Sequence, residues 1–145
     1  MIDDNLGYCF SDRALVERAL TRRAYANEQR QRGHACEDQE VLCTLGDAVL
    51  KTVLVKELIR GGAETPEIVT RRKIGLEREE NLAAIAGKLG IGPFIRLGKG
   101  EEKNRADEQP YVLAETLEAV IGAMFLDGGY EPAEERIRAW FSGQI

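Results

Sequence analysis

The sequence predicts an all-α protein, and three features of the chain support that prediction. Strand-like alternation of apolar and polar residues is almost absent from its 145 residues. Apolar residues instead recur at helical spacing, and glycines and prolines stand where helices would end and begin. No internal repeat and no linker-like composition divides the chain. We therefore expect a single domain, residues 1–145, built from about seven helices.

The first half of the chain is predicted to hold one short and one long helix. Ser11 and Asp12 can cap a short helix that reaches Leu20. The polar segment Arg22–Asp38 contains few apolar residues and is predicted to be a connection. A long helix follows from about Asp38 to Arg60 and stops at a pair of glycines.

The second half is predicted to contain four more helices, two of them on either side of a long loop. Proline at the first helical position marks three of the starts. The predicted ranges are a helix from Pro66 to near Gly75, a helix from about Leu76 to Leu89, a polar loop over Gly90–Gln109, a helix from Pro110 to Phe125 and a last helix that begins at Pro132.

Composition removes several classes of protein from consideration. The net charge of -5 argues against a strongly basic nucleic-acid binder, although local basic clusters matter more than the total. No apolar run approaches the ~20 residues that span a bilayer, and the N-terminus lacks the cationic start of a signal peptide. The three cysteines have no paired spacing, which indicates reduced thiols in the cytoplasm. A zinc site made of these cysteines and His34 is the disfavoured alternative.

Two groups of acids lie in helices that otherwise read as apolar. Glu40, Cys43 and Asp47 are three and four residues apart and share one stripe of the long helix, and Glu115 and Glu118 share a face of the helix that begins at Pro110. An ionised carboxylate in such a setting is costly unless it is paired or bound to a metal. One interpretation is that the acids pair with basic side chains or lie at a solvated edge. The other is an oxygen-rich site for Mg²⁺ or Mn²⁺.

Neighbouring residues bear on this choice. Lys51 is the one cation within a helical turn of Asp47. Gly46 and Gly122, close to the acids, would let the two helices approach each other. The single histidine, His34, lies outside the predicted helices, which disfavours a Glu-x-x-His di-iron bundle. Mg²⁺ held by carboxylates most often serves phosphate chemistry.

Four motifs in order then resemble the catalytic domain of the ribonuclease III family over nearly the whole chain. They are LTRRAYANE from Leu20, LGDAVL from Leu45, LGKGEE from Leu97 and LAETLEAVIGAMFLDGG from Leu113. The resemblance implies an all-helical homodimer that cuts double-stranded RNA with Mg²⁺, with Mn²⁺ as a possible replacement. It also implies one acidic site per subunit and products with 5′-phosphate and 3′-hydroxyl ends.

The resemblance implies that Glu40, Asp47, Glu115 and Glu118 hold the metal and that Asp47 and Glu118 are catalytic. Cys43 stands where the family has its second acid, a metal ligand, and Glu115 replaces an aspartate. A thiol is a poor Mg²⁺ ligand, so weaker metal binding is expected. The longer Glu115 side chain could partly fill the gap.

Three further positions depart from the family pattern. Arg22 replaces a histidine, Thr44 replaces a phenylalanine and Tyr111 replaces a small residue. Basic residues are candidates for RNA phosphate contacts, although a solvated surface is the alternative for each cluster. These candidates are Arg22, Arg23, Arg71, Arg72, Lys73, Lys99 and Lys103.

The sequence therefore favours a cytoplasmic, metal-dependent endoribonuclease acting on double-stranded or structured RNA, with an altered acidic site that lowers activity. The alternative is a weak or inactive dimer that binds structured RNA or a ribonucleoprotein, and the motif order disfavours a plain interaction module. We expect the helix from Asp38 to Arg60 at or near the subunit interface. Many family members add an RNA-binding domain, which this sequence, ending at Ile145, is not expected to supply. Its affinity for RNA is therefore expected to depend on dimer geometry or on a partner.

Overall fold

The computed structural model describes residues 1–145, and its regular secondary structure is helical apart from one isolated parallel bridge between Thr21 and Arg96. Nine α-helices are present, seven of them with seven residues or more, so the predicted all-α class is confirmed. The helices are α1 (Ile2–Leu6), α2 (Arg13–Ala19), α3 (Arg23–Gln31), α4 (Glu40–Arg60), α5 (Pro66–Leu76), α6 (Glu79–Lys88), α7 (Lys99–Lys103), α8 (Pro110–Gly128) and α9 (Tyr130–Trp140).

The helices with clear caps lie where the sequence predicts them. The Asp12 side chain accepts a hydrogen bond from the Ala14 amide at 3.0 Å and starts α2. The Thr65 side chain accepts one from the Ile68 amide at 3.2 Å and starts α5, with Pro66 at its first position. Local sequence alone specifies these starts.

Two segments differ from the prediction. The segment Arg22–Asp38, predicted as a connection, contains helix α3, which buries only Ala26 and so gives little apolar signal. The segment Gly90–Gln109, predicted as a polar loop, contains α7 and two 3₁₀ turns. Four apolar residues anchor this second segment in the core, namely Ile91, Ile95, Leu97 and Ala106.

Two long-range hydrogen bonds explain why the segment Gly90–Gln109 has a defined structure. The Arg96 amide donates to the Leu20 carbonyl at 2.7 Å, and the Arg22 amide donates to the Arg96 carbonyl at 3.0 Å. These bonds hold the middle of the segment against the start of α3. Because their partners are distant in sequence, no local pattern predicts them.

Several helix ends also lie a few residues away from their predicted positions. The extended backbone of Arg78 separates α5 from α6, so α6 begins three residues later than expected. Helix α8 continues past Phe125 to Gly128, and α9 begins at Tyr130 rather than at Pro132. None of the nine helices combines the length and the apolar composition that a membrane span requires.

The core is centred on α8, which packs most extensively on α4. Leu117, Ile121 and Met124 of α8 are fully buried, and the buried apolar residues form one continuous cluster. The expectation that Gly46 and Gly122 allow a close approach is confirmed. A Cβ atom on Gly46 would overlap the Glu118 carbonyl oxygen, and one on Gly122 would overlap the Leu42 carbonyl oxygen.

Candidate functional site

Asp47 on α4 and Glu118 on α8 form the centre of the candidate site. The glycine contact between the two helices brings the carboxyl groups close enough for each to shift the pKa of the other. Burial, followed by the hydrogen bond and the charge of Asp47, raises the pKa of Glu118 to about 8. Burial also acts to raise the pKa of Asp47, but hydrogen bonds from Lys51 and Glu118 outweigh it and lower that pKa. The two shifts have opposite directions, so the environment favours an ionised Asp47 beside a protonated Glu118.

A lysine of the protein itself occupies one side of this pair. The Lys51 Nζ atom lies 2.6 Å from Asp47 Oδ2, one turn further along α4. The sequence left open whether the acids pair with basic side chains, and for Asp47 the structure contains that pairing.

Arg22 engages a second candidate ligand, Glu115. Its guanidinium lies 2.8 Å from Glu115 and 3.2 Å from Glu101, and it donates to Gln39 Oε1 at 3.1 Å. The ring of Tyr111, which replaces a small residue of the family pattern, lies 5.7 Å from the guanidinium carbon. The Arg22 side chain is only 12% exposed. The structure therefore places Arg22 among the protein's own acids, not on a free phosphate-binding surface.

The four candidate acids do not form one ready ligand group. The Glu40 carboxylate is more than half exposed and lies 3.8 Å from Arg23, while Glu115 is bound to Arg22. No three histidine, cysteine, aspartate or glutamate side chains are arranged to hold a metal ion, and this includes the three cysteines with His34. Of the two outer acids, only Glu115 is held by a largely buried arginine, because the pair between Glu40 and Arg23 is exposed and weak.

Cys43 lies between these acids as a neutral thiol. Its Sγ atom donates a hydrogen bond to the Glu115 carbonyl oxygen at 3.2 Å. Burial, together with the charges of Glu115 and Glu118, raises the pKa of the Cys43 thiol to about 12. The thiol therefore stays protonated and does not replace the missing carboxylate as a ligand for a hard ion.

The remaining candidates for RNA phosphate contacts differ in whether their charges are already paired with an acid. Lys73 is largely buried and lies 3.6 Å from Glu77, so its charge is already partnered. The other four are exposed, Arg71 and Arg72 on α5 and Lys99 and Lys103 on α7.

Sequence reasoning missed two residues of the site, Gln39 and Glu101. Gln39 is fully buried, and its amide also donates to the Ala19 carbonyl at 2.7 Å and to Thr116 at 3.3 Å. Both residues meet Arg22 from segments that are far from it along the chain. No spacing rule could have found them.

The Asp47–Glu118 pair fits a hard divalent ion. Mg²⁺ takes oxygen donors and is commonly held by one or two carboxylates, with water and substrate phosphates completing its coordination. A buried carboxyl group beside a second acid, as Glu118 is beside Asp47, also gains from a cation between the two. These two residues, without Cys43, are therefore the part of the site that suits such an ion.

Comparisons with known proteins agree on one family. The model of the family described as Ribonuclease-III-like matches residues 12–145. Ribonuclease 3 of Geobacter sulfurreducens is 38% identical over 99% of this chain and 58% of its own length. Ribonuclease 3 of Pseudomonas fluorescens is 37% identical over 99% of this chain and 59% of its own length. The chain thus spans about three fifths of the length of these relatives.

Solved structures agree with this match. The nuclease domain of ribonuclease III from Campylobacter jejuni, described for flexibility in its region involved in dimer formation, superposes with a TM-score of 0.89. It is 30% identical, and the match covers 99% of this chain and 96% of that one. A second structure of that nuclease domain gives a TM-score of 0.83 at 32% identity, covering 97% of this chain and 94% of that one.

Proposed function

Because this chain belongs to the ribonuclease III-like family, we propose that it is an endoribonuclease that cleaves double-stranded or structured RNA with Mg²⁺ or Mn²⁺. The observation that carries the proposal is the contact between Asp47 and Glu118 across the glycine-lined crossing of α4 and α8. Their meeting supplies an acidic site at the position where the chemistry would occur.

Asp47 and Glu118 would hold the ion in this proposal. A bound Mg²⁺ or Mn²⁺ would supply a Lewis acid for a phosphate oxygen. The protein's own task is then to keep the two carboxyl groups close together and free of competing contacts. The rigid crossing of α4 and α8 meets the first requirement, because neither glycine leaves room for a larger residue.

The site is proposed to bind its metal weakly. Cys43 contributes a neutral thiol where a carboxylate would otherwise lie, and Glu115 is already paired with Arg22. Each missing negative charge removes attraction for a divalent ion. Two unit charges 4 Å apart attract by about 4 kcal/mol at an effective dielectric of about 20, and a divalent ion doubles that energy. This is a gross figure, because the cost of dehydrating the ligands is not subtracted. We therefore expect slow cleavage and a high metal requirement.

We also propose that the protein acts as a homodimer. An apolar stripe follows the outer face of α4 and is not covered by the rest of the chain, with Val41 65% exposed and Ile59 59% exposed. Ala48 on the same face is also exposed, while Leu45 and Val55, at helical spacing beside it, are half-buried. A second copy of the chain would cover it. The three free cysteines fit a reducing compartment, and we place the protein in the cytoplasm.

Exposed cations on two helices are the proposed RNA contacts. Arg71 and Arg72 on α5, with Lys99 and Lys103 on α7, are free to meet phosphates. Contacts of this kind position a duplex without reading its sequence.

Cleavage of a long RNA duplex tests the proposal. Wild-type protein with Mg²⁺ or Mn²⁺ should yield fragments that carry 5′-phosphate and 3′-hydroxyl ends, and Asp47→Asn should abolish them. Asp4→Asn is the matched control, because the Asp4 side chain is 89% exposed and remote from the site in sequence. An inert wild type under both metals would rule the enzyme out.

A second function is favoured by one observation. The protein neutralises Glu115 with Arg22 and Asp47 with Lys51, as a binding module without a metal would do. Such a dimer would bind structured RNA or a ribonucleoprotein without cutting it. Duplex affinity that survives Asp47→Asn, together with an uncut duplex, would identify this function.

A further inference from the structure

Lys51 has a position that the proposed reaction does not explain. Its ammonium lies 2.6 Å from Asp47 Oδ2, and the two side chains are equally exposed at 43%. Glu77 is a further carboxylate whose charge acts on the same ammonium, and Glu118 is also close enough to influence it. One lysine thus lies within the influence of three acids, one of which is the central residue of the candidate site.

A neighbouring lysine shows what is specific about this contact. Lys56, on the same helix, is also 43% exposed and also pairs with an acid at 2.6 Å, namely Glu134 of α9. The two pairs have the same length, and their lysines have the same exposure. The two lysines differ in the acid that each one binds. Only the partner of Lys51, which is Asp47, belongs to the candidate site.

We propose that Lys51 is the resident counter-ion of the Asp47–Glu118 site, and that a divalent metal binds only by displacing the Lys51 ammonium from Asp47. This inference rests on the proposed function, since it takes these two carboxylates as the metal ligands. The ammonium already occupies Asp47 Oδ2, one of the two carboxylate oxygens that a metal ion held by Asp47 would draw on. A metal at that oxygen would also lie close to a positive charge, so the two cations exclude each other.

The exchange accounts for two features of the site. Without metal, Lys51 holds a negative Asp47 beside Glu118 and lets two acids coexist at a tight helix crossing. With metal, the flexible four-carbon stem of the lysine lets the ammonium move away without a backbone change. Lys51 therefore lowers metal affinity while it protects the metal-free fold.

Metal binding to the whole chain tests the inference directly. Binding of Mn²⁺ alone is measured by calorimetry for wild type, Lys51→Met, Lys51→Gln, Lys51→Arg and the matched control Lys56→Met. Removal of the competing cation should tighten Mn²⁺ binding about three- to tenfold in both neutral variants. Lys51→Arg, which keeps the charge, and Lys56→Met should stay within about twofold of wild type.

Thermal unfolding gives an independent readout. Saturating Mn²⁺ should raise the melting temperature of Lys51→Met more than that of wild type, because the metal-free variant lacks its counter-ion. In the Asp47→Asn background, Lys51→Met should no longer change Mn²⁺ binding, since the contested carboxylate and its negative charge are lost.

The outcomes separate this inference from the proposed function. Wild type that binds Mn²⁺ no more weakly than either neutral variant would overturn the exchange and leave the endoribonuclease proposal standing. An absence of Mn²⁺ binding in every variant, with no duplex cleavage, would overturn both.

Discussion

The guanidinium of Arg22 lies 2.8 Å from the Glu115 carboxylate, so a cation of the protein engages one of the candidate metal ligands. The same guanidinium lies 3.2 Å from Glu101 and donates to the side chain of Gln39. Because the Arg22 side chain is largely buried, these charge-assisted hydrogen bonds are partly removed from water and stronger than surface pairs. Arg22 thus joins three segments of the chain at the edge of the candidate site.

Replacement of Arg22 should therefore reduce stability. Arg22→Ala leaves Glu115, Glu101 and Gln39 without their shared donor and should lower the free energy of unfolding by about 2 kcal/mol. Urea unfolding measures the change. Arg23→Ala is the matched control, since Arg23 is 70% exposed and 3.8 Å from Glu40, and it should cost less than about 0.5 kcal/mol. Equal losses in the two variants would contradict this account.

The glycine crossing should be equally sensitive. Gly46→Ala places a Cβ atom on the Glu118 carbonyl oxygen, forces α4 and α8 apart and should cost about 3 kcal/mol. Any cleavage activity should fall with it, because Asp47 and Glu118 separate. In Gly87→Ala, on α6, the new Cβ atom meets nothing within 4 Å, and stability should rise by up to about 1 kcal/mol. Thermal unfolding of both variants measures the contrast, which a tolerated Gly46→Ala would contradict.

The helix crossing is also the part of the site that sequence could predict. Apolar periodicity marked α4 and α8, and glycines beside embedded acids indicated that the two helices approach closely. Asp47 and Glu118 meet as a consequence. The helices, their glycines and the placing of each acid on its helix face could be read from the sequence, because helical spacing is fixed by the backbone geometry.

The arginine contacts could not be predicted because they are not local. Arg22, Gln39, Glu101 and Glu115 belong to four separate segments and meet only in the folded chain. The same reason explains why Gly90–Gln109 looked like a loop, since its order depends on hydrogen bonds to residues near the start of α3. Pairing over such distances leaves no period in the sequence.

Low pH should weaken the ion pair between Asp3 and Arg13 near the N-terminus. Asp3 is buried and lies 2.6 Å from Arg13, and the hydrogen bond from Arg13 lowers the pKa of Asp3. Because the folded-state pKa lies below the unfolded value, this stabilisation is complete above about pH 4 and is lost as pH falls through the folded pKa. Asp3→Asn should therefore cost about 2 kcal/mol at neutral pH, and its difference from wild type should shrink in acid.

Urea unfolding at several pH values measures this difference. Asp4→Asn, on the same helix, is the control because the Asp4 side chain is 89% exposed, and it should leave stability nearly unchanged at every pH. A constant difference between Asp3→Asn and wild type from neutral pH into acid would show that Asp3 acts through packing and not through its charge.

The apolar stripe on α4 should govern the oligomeric state. Ile59→Asp places a charge in the proposed interface and should convert a dimer into a monomer in sedimentation at micromolar concentration. Leu126→Asp is the control, since Leu126 is 54% exposed but lies on α8 outside the stripe, and it should remain dimeric. A monomeric wild type at that concentration would end the dimer proposal.

Cys43 is the position where a single change should increase activity. Cys43→Glu returns a carboxylate to the stripe between Glu40 and Asp47, so duplex cleavage should rise and the Mg²⁺ concentration for half-maximal rate should fall about tenfold. Without metal, the same variant should be less stable than wild type, because another acid joins Asp47 and Glu118. Cys43→Gln, similar in shape but neutral, should show neither effect.

The length of Glu115 should matter only once that carboxylate is present. Glu115 now pairs with Arg22, and its carbonyl accepts the Cys43 thiol, so Glu115→Asp alone gives the metal no new ligand. Beside Cys43→Glu, the shorter aspartate would leave room for the added side chain, and a double-mutant cycle of cleavage rates should be non-additive. If wild type and Cys43→Glu are both inert and calorimetry detects no Mg²⁺ binding by either, then the acids serve an RNA-binding dimer, and duplex affinity should survive Asp47→Asn.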